Sequence, residues 1–225
     1  MSTLVLLSGG LDSAVLAAHE AQSAPVLPVY VSVGLAWEAA EVAMVEQLLR
    51  APVFAGRAAP LTRVESTMRD VYPPTHWAIR GVPPRYDTPD EDVYLSGRNL
   101  VLLTKAGVVA VRHDAHRIAL GPLAGNPFPD ARPAFFAAMA GAMSLGLDHA
   151  IEIATPFLEW DKAAVVRRGV ELGVPFELTL SCMSAMITDG LPRHCGLCSK
   201  CRERRDAFAV AGVSDPSSYA SKSPR

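Results

Sequence analysis

Short apolar runs alternate with longer stretches of helical period along this chain. Residues 4–7, 26–33, 118–120 and 150–154 are apolar enough throughout to read as strands buried on both faces. Residues 13–21, 38–49, 99–112, 133–145 and 162–172 read as helices, each with one polar face. Strand followed by helix, repeated, predicts an α/β fold: a doubly wound, mostly parallel sheet whose ligands gather beyond the carboxyl ends of the strands, beside the first strand. Two stretches break the rhythm. Residues 72–94 carry Pro73-Pro74, Pro83-Pro84 and Pro89 with Trp77 and Tyr86, too long for an ordinary connection; they read as a pocket wall or lid, with a plain surface excursion as the alternative. Residues 180–205 contain every cysteine, and one helix to about Val210 and a Ser/Pro-rich tail follow, whose last residues read as mobile.

Composition narrows the class. Half of the 225 residues are hydrophobic and the net charge is −2, which suits one compact domain with a sizeable core. No apolar run approaches the roughly 18 residues of a membrane span, and the chain enters a strand without a basic leader, so a cytoplasmic location is expected. The mild acidity provides no general attraction for nucleic acid, and the basic run Lys200 to Arg205 reads as a solvated helix face.

Ser8-Gly9-Gly10-Leu11-Asp12-Ser13 stands between the first strand and the first helix. A strand that breaks at paired glycines and restarts as a helix presents free N–H groups to an anion, and Ser8 and Ser13 add hydroxyls. Asp12 is out of place beside phosphate unless it caps the helix or holds a cation, which implies Mg2+ with the nucleotide. No lysine follows the glycines, so this is not a Walker A loop. The segment resembles the pyrophosphate loop of the N-type ATP pyrophosphatases. That resemblance implies an ATP site formed by Leu7, Ser8, Gly9, Gly10, Leu11, Asp12, Ser13 and Ala14, with the α phosphorus open to attack.

Cys195, Cys198 and Cys201 recur at three-residue spacing, and Cys182 lies twelve intervening residues upstream. Four thiolates suit one tetrahedral Zn2+ with no open coordination position, hence a structural metal. An iron-sulfur cluster uses the same ligand type; a redox C-x-x-C pair leaves Cys182 unexplained. His194, beside Cys195, reads as an exposed loop histidine in preference to a substitute ligand.

The loop at one end and the segment from Ser181-Cys182 through His194-Cys195 to Cys201-Arg202-Glu203-Arg204 at the other resemble the 7-cyano-7-deazaguanine synthase family. Ser96-Gly97-Arg98-Asn99 is similar to that family's Pro-Gly-Arg-Asn, and Pro129-Asp130-Ala131-Arg132-Pro133 to its Pro-Asp-Cys-Arg-Pro. Thr155-Pro156 with Asp161-Lys162, and residues 171–175 and 211–216, agree as well. The resemblance implies an enzyme of queuosine precursor synthesis that takes 7-carboxy-7-deazaguanine, ammonia and ATP to the nitrile through an adenylate and an amide. It implies catalytic roles for Asp12, Ser13 and Lys162, ATP contact for Arg98, and substrate contact for Gly97, Arg98, Asn99, Asp130 and Arg132. Asn99 also suits a helix start, Lys162 a solvated first turn and Asp130 a turn. On this reading residues 1–179 form the nucleotide-binding domain, with 72–94 as an insertion, and residues 180–225 form a zinc-binding segment, helix and tail packed on it. Apolar surface on the C-terminal helix suits a homodimer.

Three stretches depart from the family. Val33-Gly34-Leu35-Ala36-Trp37 stands where a Tyr-Gly-Gln-x-His segment is usual, residues 121–128 are shorter than usual, and 72–94 is proline-rich. A different carboxylate acceptor, or a tRNA base, is therefore the alternative substrate; a nucleotide-responsive zinc module that lacks catalysis is a third reading.

Overall fold

The computed structural model describes residues 1–188 and 191–221. Strand β1 (Thr3–Leu6) leads into α1 (Leu11–Glu20), β2 (Val26–Ser32), α2 (Glu38–Leu48) and β3 (Thr62–Glu65). A short helix α3 (Trp77–Arg80) lies in the proline-rich stretch, followed by α4 (Arg98–Arg112), β4 (Arg117–Ala119), α5 (Pro133–Leu147), β5 (Glu152–Ala154) and α6 (Lys162–Glu171). The cysteine segment adds β6 (Met186–Thr188), β7 (Leu191–Arg193) and α7 (Ser199–Ala211).

Five strands form a parallel sheet in the order β3-β2-β1-β4-β5, and β6 and β7 form a separate antiparallel hairpin. Thr3 is level with Val26 on one side and with Arg117 on the other, so β1 sits at the centre, where the strand order reverses. Alternate residues of β1 enter different cores. Val5 and Leu7 pack with α1, α6 and Phe208 of α7, whereas Leu4 packs with Leu103 of α4 and Phe136 of α5.

Pro28 inside β2 is compatible with the sheet because of register. Val26 donates to Arg57 and accepts from Ala59 on the β3 side, and two residues on Pro28 faces that side just before β3 begins at Thr62, opposite Val29.

The doubly wound parallel architecture matches the expectation from the sequence. β3 was not expected, because its Thr-Arg-Val-Glu alternates half-buried and exposed residues as an edge strand does. The hairpin β6–β7 was not expected either. Helix α1 begins at Leu11, two residues before the predicted start, which puts Asp12 in its first turn. The expectation of a mobile end, so far as it concerns residues 222–225, lies outside the described residues.

Helices α1 and α6 meet at Gly169, where a Cβ would stand 2.7 Å from Val15 Cγ2 and inside the contact distance of Phe176 Cζ. Gly169→Ala is expected to lower unfolding free energy by about 1–3 kcal/mol through overpacking. Gly141, on the exposed side of α5 with open space around it, is expected to gain about 0.5–1 kcal/mol as alanine. Urea denaturation of the two variants measures both.

Candidate functional site

The turn from β1 into α1 is shaped by two glycines with different jobs. Gly9 has φ +80°, and a Cβ there would stand 2.9 Å from Val45 Cγ2, so the loop lies directly on α2. Leu180 N donates to Gly9 O at 2.7 Å, fastening the start of the cysteine segment to the same loop. Gly10 is the N-cap of α1 and leaves the helix N-terminus open. Ser13 Oγ donates to Gly10 O at 3.0 Å and lies 3.2 Å from Ser8 Oγ, which accepts from Gly10 N at 3.3 Å.

Two cavities of about 270 and 410 Å³ meet over this turn. Ser8, Gly10 and Asp12 line both, Leu7 and Ser13 the smaller, and Leu11 the larger; Gly9 and Ala14 line neither. Open N–H groups, two hydroxyls and a helix N-terminus at the strand switch point make a cradle for an anion.

A chain of alternating charge crosses the larger cavity. Lys162, at the first residue of α6, lies 3.2 Å from Asp12 Oδ2 and also pairs with Glu203 of α7. Lys200 Nζ is 2.6 Å from the other oxygen of Glu203 and 3.4 Å from Asp90 in the proline-rich stretch. Burial opposes the charge on Lys162, yet the Asp12 and Glu203 carboxylates outweigh it and hold the ammonium above the ordinary lysine range. Burial would likewise raise Glu203, but Lys162 and then Lys200 bring it down to about 2. For Asp12 burial prevails and raises the carboxyl, with Lys162 opposing. Asp12 Oδ1 is buried without a hydrogen-bond partner among the described residues, a spare acceptor of the kind a hard divalent cation takes.

The Gly97-Arg98-Asn99 turn opens α4 on the other side. Gly97 adopts φ +76° as its N-cap, and Arg98 lines both cavities with its Nε buried and unpartnered among the described residues. Asn99 lines the smaller cavity; its N donates to Asp130 Oδ2 at 3.2 Å, and its Nδ2 to Asp130 O at 2.8 Å. Asp130 therefore fixes the start of α4, and neither it nor Gly97 lines either of these two cavities. Arg132 is exposed at the N-cap of α5 and lines neither cavity.

Sequence reasoning missed several residues of the larger cavity. Glu41, in the first turn of α2, accepts from Tyr30 Oη at 2.7 Å, and burial pushes its carboxyl up to about 7 against the opposing pull of Arg98. Trp37 and Trp77 stack beside it with ring centroids 5.6 Å apart. Trp77, Asp90 and Val93 make part of the proline-rich stretch a wall of the cavity. The clue in the sequence was Glu38 and Glu41 at helical spacing just past a strand end. Glu38 is spent on structure: it accepts from Val33 N, Gly34 N and Ser32 Oγ and so caps β2.

All four cysteines come together, buried, with sulfur atoms within 4.8 Å of one another. Cys182–Cys198, Cys195–Cys201 and Cys198–Cys201 are 4.0, 3.9 and 3.5 Å apart, bracketing the roughly 3.8 Å of a tetrahedral zinc tetrathiolate. Ser184 N and Cys195 N donate to Cys182 Sγ, and Leu197 N to Cys195 Sγ, stabilising thiolate charge. The cluster can hold a metal such as zinc. His194 is not an exposed loop residue: it is 3 % exposed, and its Nε2 accepts from Ser181 N at 3.2 Å, which leaves that nitrogen no lone pair for a metal. Burial, followed by the charge of Arg204, brings its pKa down to about 3.

The basic run from Lys200 to Arg205 is not a solvated face either. Arg204 is 1 % exposed and donates to Thr179 Oγ1, Phe176 O and Asp215. Arg202 donates to Tyr86 O and Thr88 O, clasping the proline-rich stretch, and Arg205 donates to Gly196 O beneath the cysteine turn. The sequence concealed this because the acceptors are mostly backbone carbonyls far away along the chain.

A doubly wound parallel sheet with an anion cradle at its switch point and a four-cysteine cluster behind it defines an α/β protein with a metal-binding segment. The family model described as "Queuosine biosynthesis protein QueC" matches residues 2–212. A 7-cyano-7-deazaguanine synthase from Methanopyrus kandleri is similar at 31% identity over 240 residues, spanning 97% of this chain and 98% of its own length. Synthases of the same name from Azoarcus sp. and Methanoculleus marisnigri are 41% and 38% identical over 133 and 130 residues, each covering 56% of this chain and, respectively, 57% and 56% of their own. The chain belongs to the QueC family. No helix among the described residues is long and apolar enough to cross a membrane.

Two outcomes follow from this geometry. Cys198→Ser is expected to lower bound zinc and thermal stability together, read by metal analysis and calorimetry; unchanged zinc per chain contradicts the four-thiolate site. Glu41 binds its proton more tightly in the folded protein, so its contribution is favourable below pH 4.5 and is lost as pH rises through about 7. Relative to wild type, Glu41→Gln is expected to gain about 3 kcal/mol in unfolding free energy between pH 4.5 and 8, measured by denaturation at each pH.

Proposed function

We propose that the chain is an ATP-dependent carbon–nitrogen ligase that makes 7-cyano-7-deazaguanine from 7-carboxy-7-deazaguanine and ammonia, a step of queuosine precursor synthesis. The observation that carries this reading is the meeting, over one pair of cavities, of the cradle with Asp12 Oδ1 and Arg98 Nε, both without a partner among the described residues. An anion cradle beside spare groups of both signs suits a polyphosphate, its metal ion and a carboxylate.

The chemistry begins with a poor electrophile. A substrate carboxylate oxygen attacks the α phosphorus of ATP, the bond to the β-phosphate oxygen breaks, and pyrophosphate leaves with an acyl adenylate behind. Ammonia displaces AMP to give the amide and releases a proton. The amide oxygen then attacks the α phosphorus of a second ATP and expels a second pyrophosphate, and loss of AMP and a further proton yields the nitrile. No protein nucleophile is required, and all four cysteines belong to the metal cluster, which disfavours a catalytic-thiol reaction on a tRNA base.

On this reading the free N–H groups of the first turn of α1, with Ser8 and Ser13, hold the departing pyrophosphate. Lys162, fixed at the mouth of the cradle, offsets its charge. Mg2+, when bound, neutralises phosphate oxygens, and Asp12 would hold it through Oδ1. Arg98 meets the α phosphate or the substrate carboxylate, as a guanidinium does in two-point contacts, while Asn99 and Asp130 keep the start of α4 in place. Catalysis is positioning and charge stabilisation. Trp37 and Trp77 on the wall of the larger cavity favour a different flat carboxylate as the second reading. These reagents suit the cytoplasm, and Val210, 73 % exposed on α7, suits a contact between two copies.

Asp12→Ala is expected to cut pyrophosphate release roughly a hundredfold to a thousandfold while the chain stays folded with its zinc content unchanged, because Glu203 still pairs with Lys162. Pyrophosphate release with the acid and ammonia, with the nitrile detected by mass spectrometry, measures this. Release that persists in the variant, or that requires tRNA in the wild type, overturns the reading.

A further inference from the structure

Five carboxylates line the larger cavity, and four of them are committed. Asp12 and Glu203 pair with Lys162, Asp90 pairs with Lys200, and Asp161 accepts from Ala164 N to cap α6. Glu41 alone makes no ion pair among the described residues. It is 8 % exposed; Tyr30 Oη donates to one of its oxygens at 2.7 Å, and the Trp37 side chain also donates to the carboxyl. A carboxylate has about four lone-pair sites, so acceptor capacity remains for a ligand. The wall beside it is the stacked pair Trp37 and Trp77, which presents apolar, aromatic surface to a flat ring.

We propose that Glu41 determines substrate specificity by accepting hydrogen bonds from the ring N–H and the adjacent exocyclic amino group of a guanine-type base, with the stacked pair Trp37 and Trp77 on one side of the ring. The assignment rests on the deazaguanine reading of the site. Two donors side by side on one edge match the two oxygens of a carboxylate. Adenine offers an amino donor beside a ring acceptor, so its ring nitrogen would meet the carboxylate lone pair to lone pair. Glu41 thus separates the substrate from the base of the nucleotide that shares the cavities. Because its own carboxyl is buried and held up at about 7, a donor pair also supplies the stabilisation that the carboxylate lacks in the free protein.

The test compares binding of 7-deazaguanine with binding of 7-deazahypoxanthine, the same ring without the 2-amino group, by calorimetry on the zinc-loaded full chain. Wild type is expected to prefer the 2-amino ring by roughly tenfold to a hundredfold. Glu41→Gln should bring the two affinities together while leaving the KM for ATP unchanged. Glu41→Asp, which keeps the carboxylate but withdraws it by one methylene, should lower the preference without abolishing it, and it serves if the glutamine variant does not fold. A preference that survives Glu41→Gln, or a change in the KM for ATP instead, overturns the assignment while turnover of the acid by wild type leaves the proposed function standing. A wild-type chain that neither binds the rings nor turns over the acid overturns both.

Discussion

The ammonium of Lys162 is the constraint around which the site is arranged. It is mostly enclosed, its side chain 17 % exposed between Asp12 on α1 and Glu203 on α7, and both partners favour a charge in that position. Removing one partner leaves the ammonium with the other, at a cost below the roughly 3–5 kcal/mol of a fully buried pair because all three side chains keep some exposure. Three segments far apart in sequence are therefore held to one geometry. Through Lys200 and Asp90 the same alternation of sign reaches the proline-rich stretch, so a wall of the larger cavity is fixed to the network that fixes the cradle.

This gives the cysteine cluster a purpose that its ligand count alone does not. Cys198 is the N-cap of α7, and Cys201 lies on its first turn. Whatever fixes the four sulfurs also fixes the direction in which Lys200 and Glu203 project. Arg204, buried beneath them, ties α7 to Thr179 and Phe176, and Leu180 N holds Gly9 O. A metal held there with a saturated shell would thereby set the electrostatics of the cradle.

Much of this was legible in the sequence. The parallel sheet, the turn after β1 and the four sulfurs follow from local signals: apolar runs, paired glycines and regular cysteine spacing. β3 was not, because Thr-Arg-Val-Glu at a sheet edge alternates like a polar loop. Asp130 and Arg132 were legible as a motif but not as geometry: the first fixes the start of α4 and the second is exposed. Glu41, Lys200 and Glu203 were missed for a common reason. Charged residues on a helix read as solvated unless the partner is known, and apart from the contact of Lys200 with Glu203 their partners Tyr30, Asp90 and Lys162 lie on other elements, 11 to 110 residues away. The basic run of α7 was misread on the same ground.

The central claim is that the cradle directs attack to the α phosphorus, with both oxygens of the substrate carboxylate leaving on AMP. Turnover of 7-carboxy-7-deazaguanine labelled with 18O in both carboxyl oxygens, followed by mass spectrometry of the nucleotide, tests it most directly. The account predicts two molecules of AMP per nitrile, each carrying one 18O, and unlabelled pyrophosphate. Label in inorganic phosphate, or AMP without label, contradicts it.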